Sequence, residues 1–212
     1  MLIKIDALMD GLRRRRPIFH SEADFQHEFA WEAKTRLPHL QVRLERPFPG
    51  RTSGAIDIIL CGQGYEYAIE LKYLTRLYKG YCEGEHFKLK NHGAQDVRNY
   101  DVCKDIGRME SFCAEPARIG AVVVLTNEPF YWKARRNLGT CAEAFDISGA
   151  REIAGTLAWA AHTGAGTMKN REAAIVLASK YVPEWKDYSE VPGANGRFRY
   201  CSVTVCSADL PG

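Results

Sequence analysis

The chain has 212 residues, enough for one sizeable hydrophobic core, and 29 Lys and Arg against 26 Asp and Glu leave a net charge of only +3. That balance excludes a polycation that grips nucleic acid through its global charge, so any such affinity has to come from local clusters of Lys and Arg. No stretch approaches the roughly 18 apolar residues of a membrane span and no leader pattern stands out, so a cytoplasmic protein is expected.

Residues 2–12 can form an amphipathic helix, and the run Arg13 to Arg16 follows it before Pro17. The run reads either as a phosphate-contacting arm or as the basic end of a helix, where cations are favoured. Ser21 then caps a second helix that Pro38 ends, with Phe25, Phe29, Ala33 and Leu37 as its buried stripe and Glu22, Glu28 and Glu32 on or beside that stripe. Gln41 to Glu45 alternates as a strand with Val42 and Leu44 on one face, and a Pro/Gly/Ser-rich loop carries Arg46 and Arg51 toward the next segment.

That segment, AIDIILCGQGYEYAIELKY from Ala55 to Tyr73, organises the reading. Two Ile/Leu/Tyr-rich strands flank a Gly-Gln-Gly turn, yet each carries acids where a buried strand should have none. A pairing that sets Asp57 against Ala68 puts Asp57, Glu70 and Lys72 on one face and turns Leu71 into the core. Like charges brought together in this way call for a cation between them, and a hard ion such as Mg²⁺ (or Mn²⁺) is held by one or two carboxylates while keeping several waters. In this reading Asp57, Glu70 and the backbone carbonyl of Leu71 hold the metal, and Lys72 orients or helps deprotonate an attacking water.

The following TRLYKGYCEGEHFKLKNHG is polar and glycine-broken, and is read as a long loop serving as a substrate clamp or a mobile lid. Its Arg76, Lys79, Lys88 and Lys90, interleaved with Tyr78, Tyr81 and Phe87, have the composition of a nucleic-acid groove. Ala94 to Glu115 is predicted as a helix with Val102, Ile106, Met109 and Cys113 as its apolar face; Arg98, Asp101, Lys104 and Asp105 are either site residues or surface ion pairs. Arg118 to Asn127 is a continuous apolar run, hence a strand buried on both faces. Tyr131, Trp132, Lys133, Arg135 and Arg136 offer a second nucleic-acid surface or a core anchor. Beyond residue 140 the pattern weakens: Ala154 to Ala161 and Ala174 to Tyr181 are helix or strand, and Arg197 to Val205 is a strand of a β-rich extension over about 140–212 packed on the sheet edge. The seven cysteines form no Cys-x-x-Cys pair and the six histidines have no ligand spacing, so neither zinc nor a disulfide framework is expected.

Asp57, the Gly turn and the Glu70-x-Lys72 ending an apolar strand together resemble the signature of the PD-(D/E)XK nuclease superfamily, with Ile56 in place of the literal Pro. The resemblance covers about residues 20–130 and implies an α/β, restriction-endonuclease-like mixed sheet flanked by helices in the order αβββαβ, all within a single domain over 1–212. It further implies Mg²⁺-dependent phosphodiester hydrolysis, DNA as the usual substrate with RNA left open, and room for a homodimer. By resemblance an acid of the first core helix joins the metal site, Glu22 before Glu28, and Gln95, with Tyr100 as an imperfect partner, approaches it from the helix after the Lys strand. Arg51, Lys79, Lys88, Lys90 and Arg98 are the expected nucleic-acid contacts. The rival reading is a nuclease-like fold that binds nucleic acid or protein without cutting.

Overall fold

The computed structural model describes residues 3–50, 52, 54–134 and 139–206. Its centre is a mixed six-stranded sheet built from β1 (Gln41–Pro47), β2 (Ala55–Gly62), β3 (Tyr65–Leu74), β6 (Arg118–Thr126), β9 (Lys186–Glu190) and β10 (Arg197–Cys206). Across the sheet they lie in the order β1-β2-β3-β6-β10-β9. β3 and β6 run parallel, joined through helix α3 (Gln95–Cys113), and the other neighbours are antiparallel.

Each face of the sheet is covered by what its side chains can bury. Helices α1 (Ile5–Arg15) and α2 (Glu22–Arg36) lay Leu8, Met9, Leu12, Phe25 and Phe29 against Ile69, Leu71, Tyr73 and Val123. Ser21 caps α2 by accepting a hydrogen bond from the Asp24 N–H at 3.1 Å. On the opposite face α3 packs Val102, Ile106, Met109 and Cys113 over Ala68, Val122 and Val124, following its 3.6-residue apolar stripe. Contact there is close: a Cβ on Gly120 would lie 2.7 Å from the Cβ of Met109. Gly120→Ala is therefore expected to cost about 1–3 kcal/mol through overpacking, read from the urea unfolding midpoint.

Several sequence expectations are corrected. Residues 75–93 are no structureless loop: β4 (Tyr78–Cys82) and β5 (Glu85–Leu89) pair as a hairpin around Glu83 and Gly84, whose φ values of 50° and 83° suit a two-residue turn. The C-terminal part does not merely pack on the sheet edge, because β10 adds directly to β6 and β9 follows it. A separate pair, β7 (Ile153–Leu157) and β8 (Ile175–Tyr181), rests on α3, with the single-turn α4 (Ala165–Met168) between them. Leu44 is 36 % exposed on an edge strand, so only Val42 of its expected face packs inward. No helix among the described residues is long and apolar enough to cross a membrane.

The arginine run is a helix end held by neighbouring acids: Arg13 pairs with Asp10, Arg15 with Glu28 and Glu32, and Arg16 with Asp24. Tyr131 is buried as a core anchor, whereas Arg135 and Arg136 lie outside the described residues.

Candidate functional site

The β2–β3 hairpin turns through Gln63 and Gly64 with φ of 54° and 79°, a two-residue turn that sets Ile58 against Ile69. Ala68 is thereby opposite Ile59, and the same register continued by one step sets Asp57 against Glu70. The difference from the expected pairing is two residues, and a shift by two preserves the face on which every side chain points. The ladder stops at Ile58–Ile69, and the pairing of β1 with β2 skips the Asp57 step, opposite Glu45 with its φ of 51°. The N–H groups that β3 would have given to a continuing β2 are taken by carboxylates instead. Leu71 N–H donates to Asp57 Oδ2 at 2.7 Å, and Tyr73 N–H donates to Glu22 Oε2 at 2.7 Å. In an antiparallel ladder a residue's N–H and C=O leave the strand on the same side, so the Leu71 carbonyl also faces Asp57.

Helix α3 supplies the countercharges. Lys72 Nζ lies 2.9 Å from Asp105 Oδ2, and Arg108 Nη1 lies 3.0 Å from Asp105 Oδ1 and 3.1 Å from Glu70 Oε1. Arg108 also donates to the Ala55 carbonyl at 2.8 Å and covers the Phe48 ring. Glu70, Arg108, Asp105 and Lys72 thus form a chain of alternating sign, its carboxylates buried and its cations partly exposed. Glu70 is only 2 % exposed, and its Oε1, although close to Arg108, forms no aligned hydrogen bond.

Burial, then the Asp105 and Asp57 charges, push the Glu70 carboxyl up to about 8 against the pull of Arg108 and Lys72. Burial likewise raises the Asp57 carboxyl, opposed by the Leu71 N–H and by Lys72. For Lys72 burial works against the charge, but Asp105 outweighs it and holds the ammonium above the usual lysine range. The Asp105 carboxylate thus favours the charged form of Lys72.

Lys72, Asp105 and Arg108 line a cleft of about 860 Å³. Its walls are the start of α2 with Glu22, the end of β3 with Lys72, Lys88 of β5 and Lys90 just after it, and the α3 face that presents Arg98, Lys104 and Arg108. Asp57 and Glu70 are not in the cleft wall, whereas Arg108, 3.1 Å from Glu70, and Lys72 are. Of the other expected site residues, Gln95 does not line the cleft: it opens α3 one turn before Arg98, and Ala94 before it is left-handed with φ of 57°. Tyr100 is buried and donates to the Ala173 carbonyl, so it is no partner for Gln95. Glu28 is paired with Arg15 at 2.6 Å and is not in the cleft wall, which leaves Glu22 as the acid that α2 brings to the site.

Among the expected nucleic-acid contacts, Lys88, Lys90 and Arg98 line the cleft, Lys79 stands on the outer face of the hairpin, and Arg51 lies outside the described residues. Arg46 is bound to Glu66 at 2.5 Å and does not line the cleft. Thr126 and Asn127 serve the fold: Asn127 Oδ1 accepts from Arg76 N–H at 2.7 Å, and its amide donates to the Asn195 carbonyl at 2.9 Å. The sequence reading left Asp105 undecided and missed Arg108, because their polar i, i+3 spacing is that of an ordinary surface pair.

The donor chemistry suits a hard divalent cation. Asp57, Glu70 and Glu22 are all carboxylates, and the buried Glu70 Oε1 without an aligned donor is the orphaned acceptor that such an ion satisfies. Among the described residues no group of three or more His, Cys, Asp or Glu side chains is arranged to hold a metal. Comparison of the chain with protein-family models, with curated proteins and with solved structures finds no match.

Proposed function

We propose that the chain is a metal-dependent nuclease with a restriction-endonuclease-like core of the PD-(D/E)XK kind, hydrolysing phosphodiester bonds, foremost in DNA. The observation that carries this reading is that carboxylates of Asp57 and Glu22 take the β3 N–H groups of Leu71 and Tyr73 where β2 and β3 part, with Glu70 and Lys72 on the same strand beside a basic cleft. The element order α2-β1-β2-β3-α3-β6, interrupted only by the β4–β5 hairpin, supports it.

Asp57 and Glu70 would hold Mg²⁺ or Mn²⁺, with Glu22 and the Leu71 carbonyl beside them, and the bound cation would polarise the phosphate and acidify a water. Lys72, kept charged by Asp105, stabilises negative charge developing on the phosphate oxygens. Lys88, Lys90 and Arg98 hold the backbone in the cleft by charge.

A second reading, a nuclease-like fold that binds without cutting, is favoured by one observation. Arg108 and Asp105 already neutralise Glu70 and Lys72 within the protein. Supercoiled plasmid separates the two. Nicking in Mg²⁺ or Mn²⁺ that EDTA stops is the expected result. DNA retention with no cleavage of duplex, single-stranded DNA or RNA in either metal would replace the nuclease by the binding module.

A further inference from the structure

The β4–β5 hairpin has a buried and an exposed side. Tyr78, Phe87 and Leu89 pack into the core, while Lys79, Tyr81, His86 and Lys88 point outward. On the outward side Lys79 stands directly opposite Lys88, and Tyr81 opposite His86 with ring centroids 4.9 Å apart. Two like charges facing each other across a strand pair destabilise it, and among the described residues neither ammonium has a carboxylate within ion-pair reach. Lys88, together with Lys90, also forms the cleft wall, so the basic strip runs without a break from the hairpin to the candidate site. Glu83 occupies the turn, and Glu85 is taken by His20 at 2.7 Å.

The ribbon is held rigidly. His20 stacks on Phe87 at 4.3 Å, Tyr78 Oη donates to the Pro192 carbonyl at 2.8 Å, and Thr75 Oγ1 donates to the Lys90 carbonyl at 2.7 Å. A fold that keeps an unfavourable cross-strand lysine pair on a fixed, projecting ribbon gains from it when a polyanion lies against that face. A two-stranded ribbon also has the width that the major groove of a duplex admits.

We propose that this hairpin is a docking ribbon for a nucleic-acid duplex, with Lys79 and Lys88 meeting phosphates across a groove and Tyr81 at its leading end. The inference deepens the nuclease reading and rests on it for the kind of polymer bound. Binding in EDTA, where nothing is cut, keeps the two separable.

The test is fluorescence anisotropy with a 20-base-pair DNA duplex and the matching single strand, over a salt series, for the wild type, Lys79→Gln, Lys79→Gln/Lys88→Gln and Tyr81→Ala. Because Lys88 also lines the cleft, Lys79→Gln alone must lose duplex affinity, and unchanged binding by it overturns the proposal. The duplex is expected to bind more tightly than the strand. The double Gln variant is expected to lose on the order of tenfold in duplex affinity at 100 mM salt and to flatten the slope of log K against log salt by about 2. Its melting temperature is expected to hold or rise, because the repulsion is gone. A merely structural hairpin predicts the reverse: lower stability with unchanged affinity, and that outcome overturns the proposal. Tighter binding of the single strand, lost chiefly in Tyr81→Ala, also overturns it, in favour of base stacking. Nicking by a double variant that binds like the wild type would remove the ribbon's role and leave the nuclease reading standing.

Discussion

Glu70→Gln is expected to lower metal-dependent nicking by at least about 10³-fold and, in the same protein, to raise the stability of the cation-free state. The two effects have one cause. Glu70 is 2 % exposed beside Asp57 and Asp105, and its carboxyl is pushed from the ordinary 4.5 up to about 8. A carboxyl whose value is higher in the folded than in the unfolded chain favours folding most when protonated. Its contribution is complete below pH 4.5 and is lost as the pH rises through about 8. The wild type should therefore lose on the order of 3 kcal/mol of stability between pH 5 and 9 in EDTA. The amide of the variant carries no charge to bury, so its curve should be flatter over that range and should lie above the wild type at pH 8. It also offers a cation no anionic oxygen, which removes the site. Urea unfolding across pH, with nicking assayed alongside, reads both effects. A variant that nicks like the wild type would end the catalytic assignment, and parallel pH curves would end the electrostatic one.

Arg108→Met should destabilise the cation-free protein by about 3–5 kcal/mol at pH 8, because it leaves buried carboxylates without their countercharge. Arg108 lies 3.1 Å from Glu70 and 3.0 Å from Asp105, and donates at 2.8 Å to the Ala55 carbonyl, so it ties together three separate parts of the site. Two conditions should restore part of the loss. Lowering the pH to about 5.5 protonates Glu70, and millimolar Mg²⁺ substitutes one positive charge for another. The same substitution should tighten Mn²⁺ binding measured by calorimetry, since the guanidinium no longer competes for Glu70. Equal destabilisation at both pH values, with and without Mg²⁺, would show that Arg108 contributes packing against Phe48 and not charge.

The local features were readable because they depend on short-range rules. Alternation along β2 and β3, together with a two-residue turn, places Asp57, Glu70 and Lys72 on one face even when the register is misjudged by two, and the stripe Val102, Ile106, Met109 and Cys113 marks the buried side of α3. The β4–β5 hairpin was signalled only by Glu83-Gly84 between weakly alternating residues, Tyr78 and Gly80 on one side and Phe87 and Leu89 on the other. Its charged outer face masked the pattern.

The sequence by itself determined which side of β3 carries Glu70 and Lys72 and which is core, since that follows from a period of two. Only the tertiary structure decided what the side with Glu70 and Lys72 meets. Asp105 and Arg108 reach Lys72 and Glu70 because the crossover from β3 to parallel β6 lays α3 over that face, and Glu22 reaches the Tyr73 N–H because α2 covers the other. The same packing leaves Gln95 outside the cleft and sends Glu28 to Arg15. Charges on a helix carry no mark of their partner until burial raises the cost of having none.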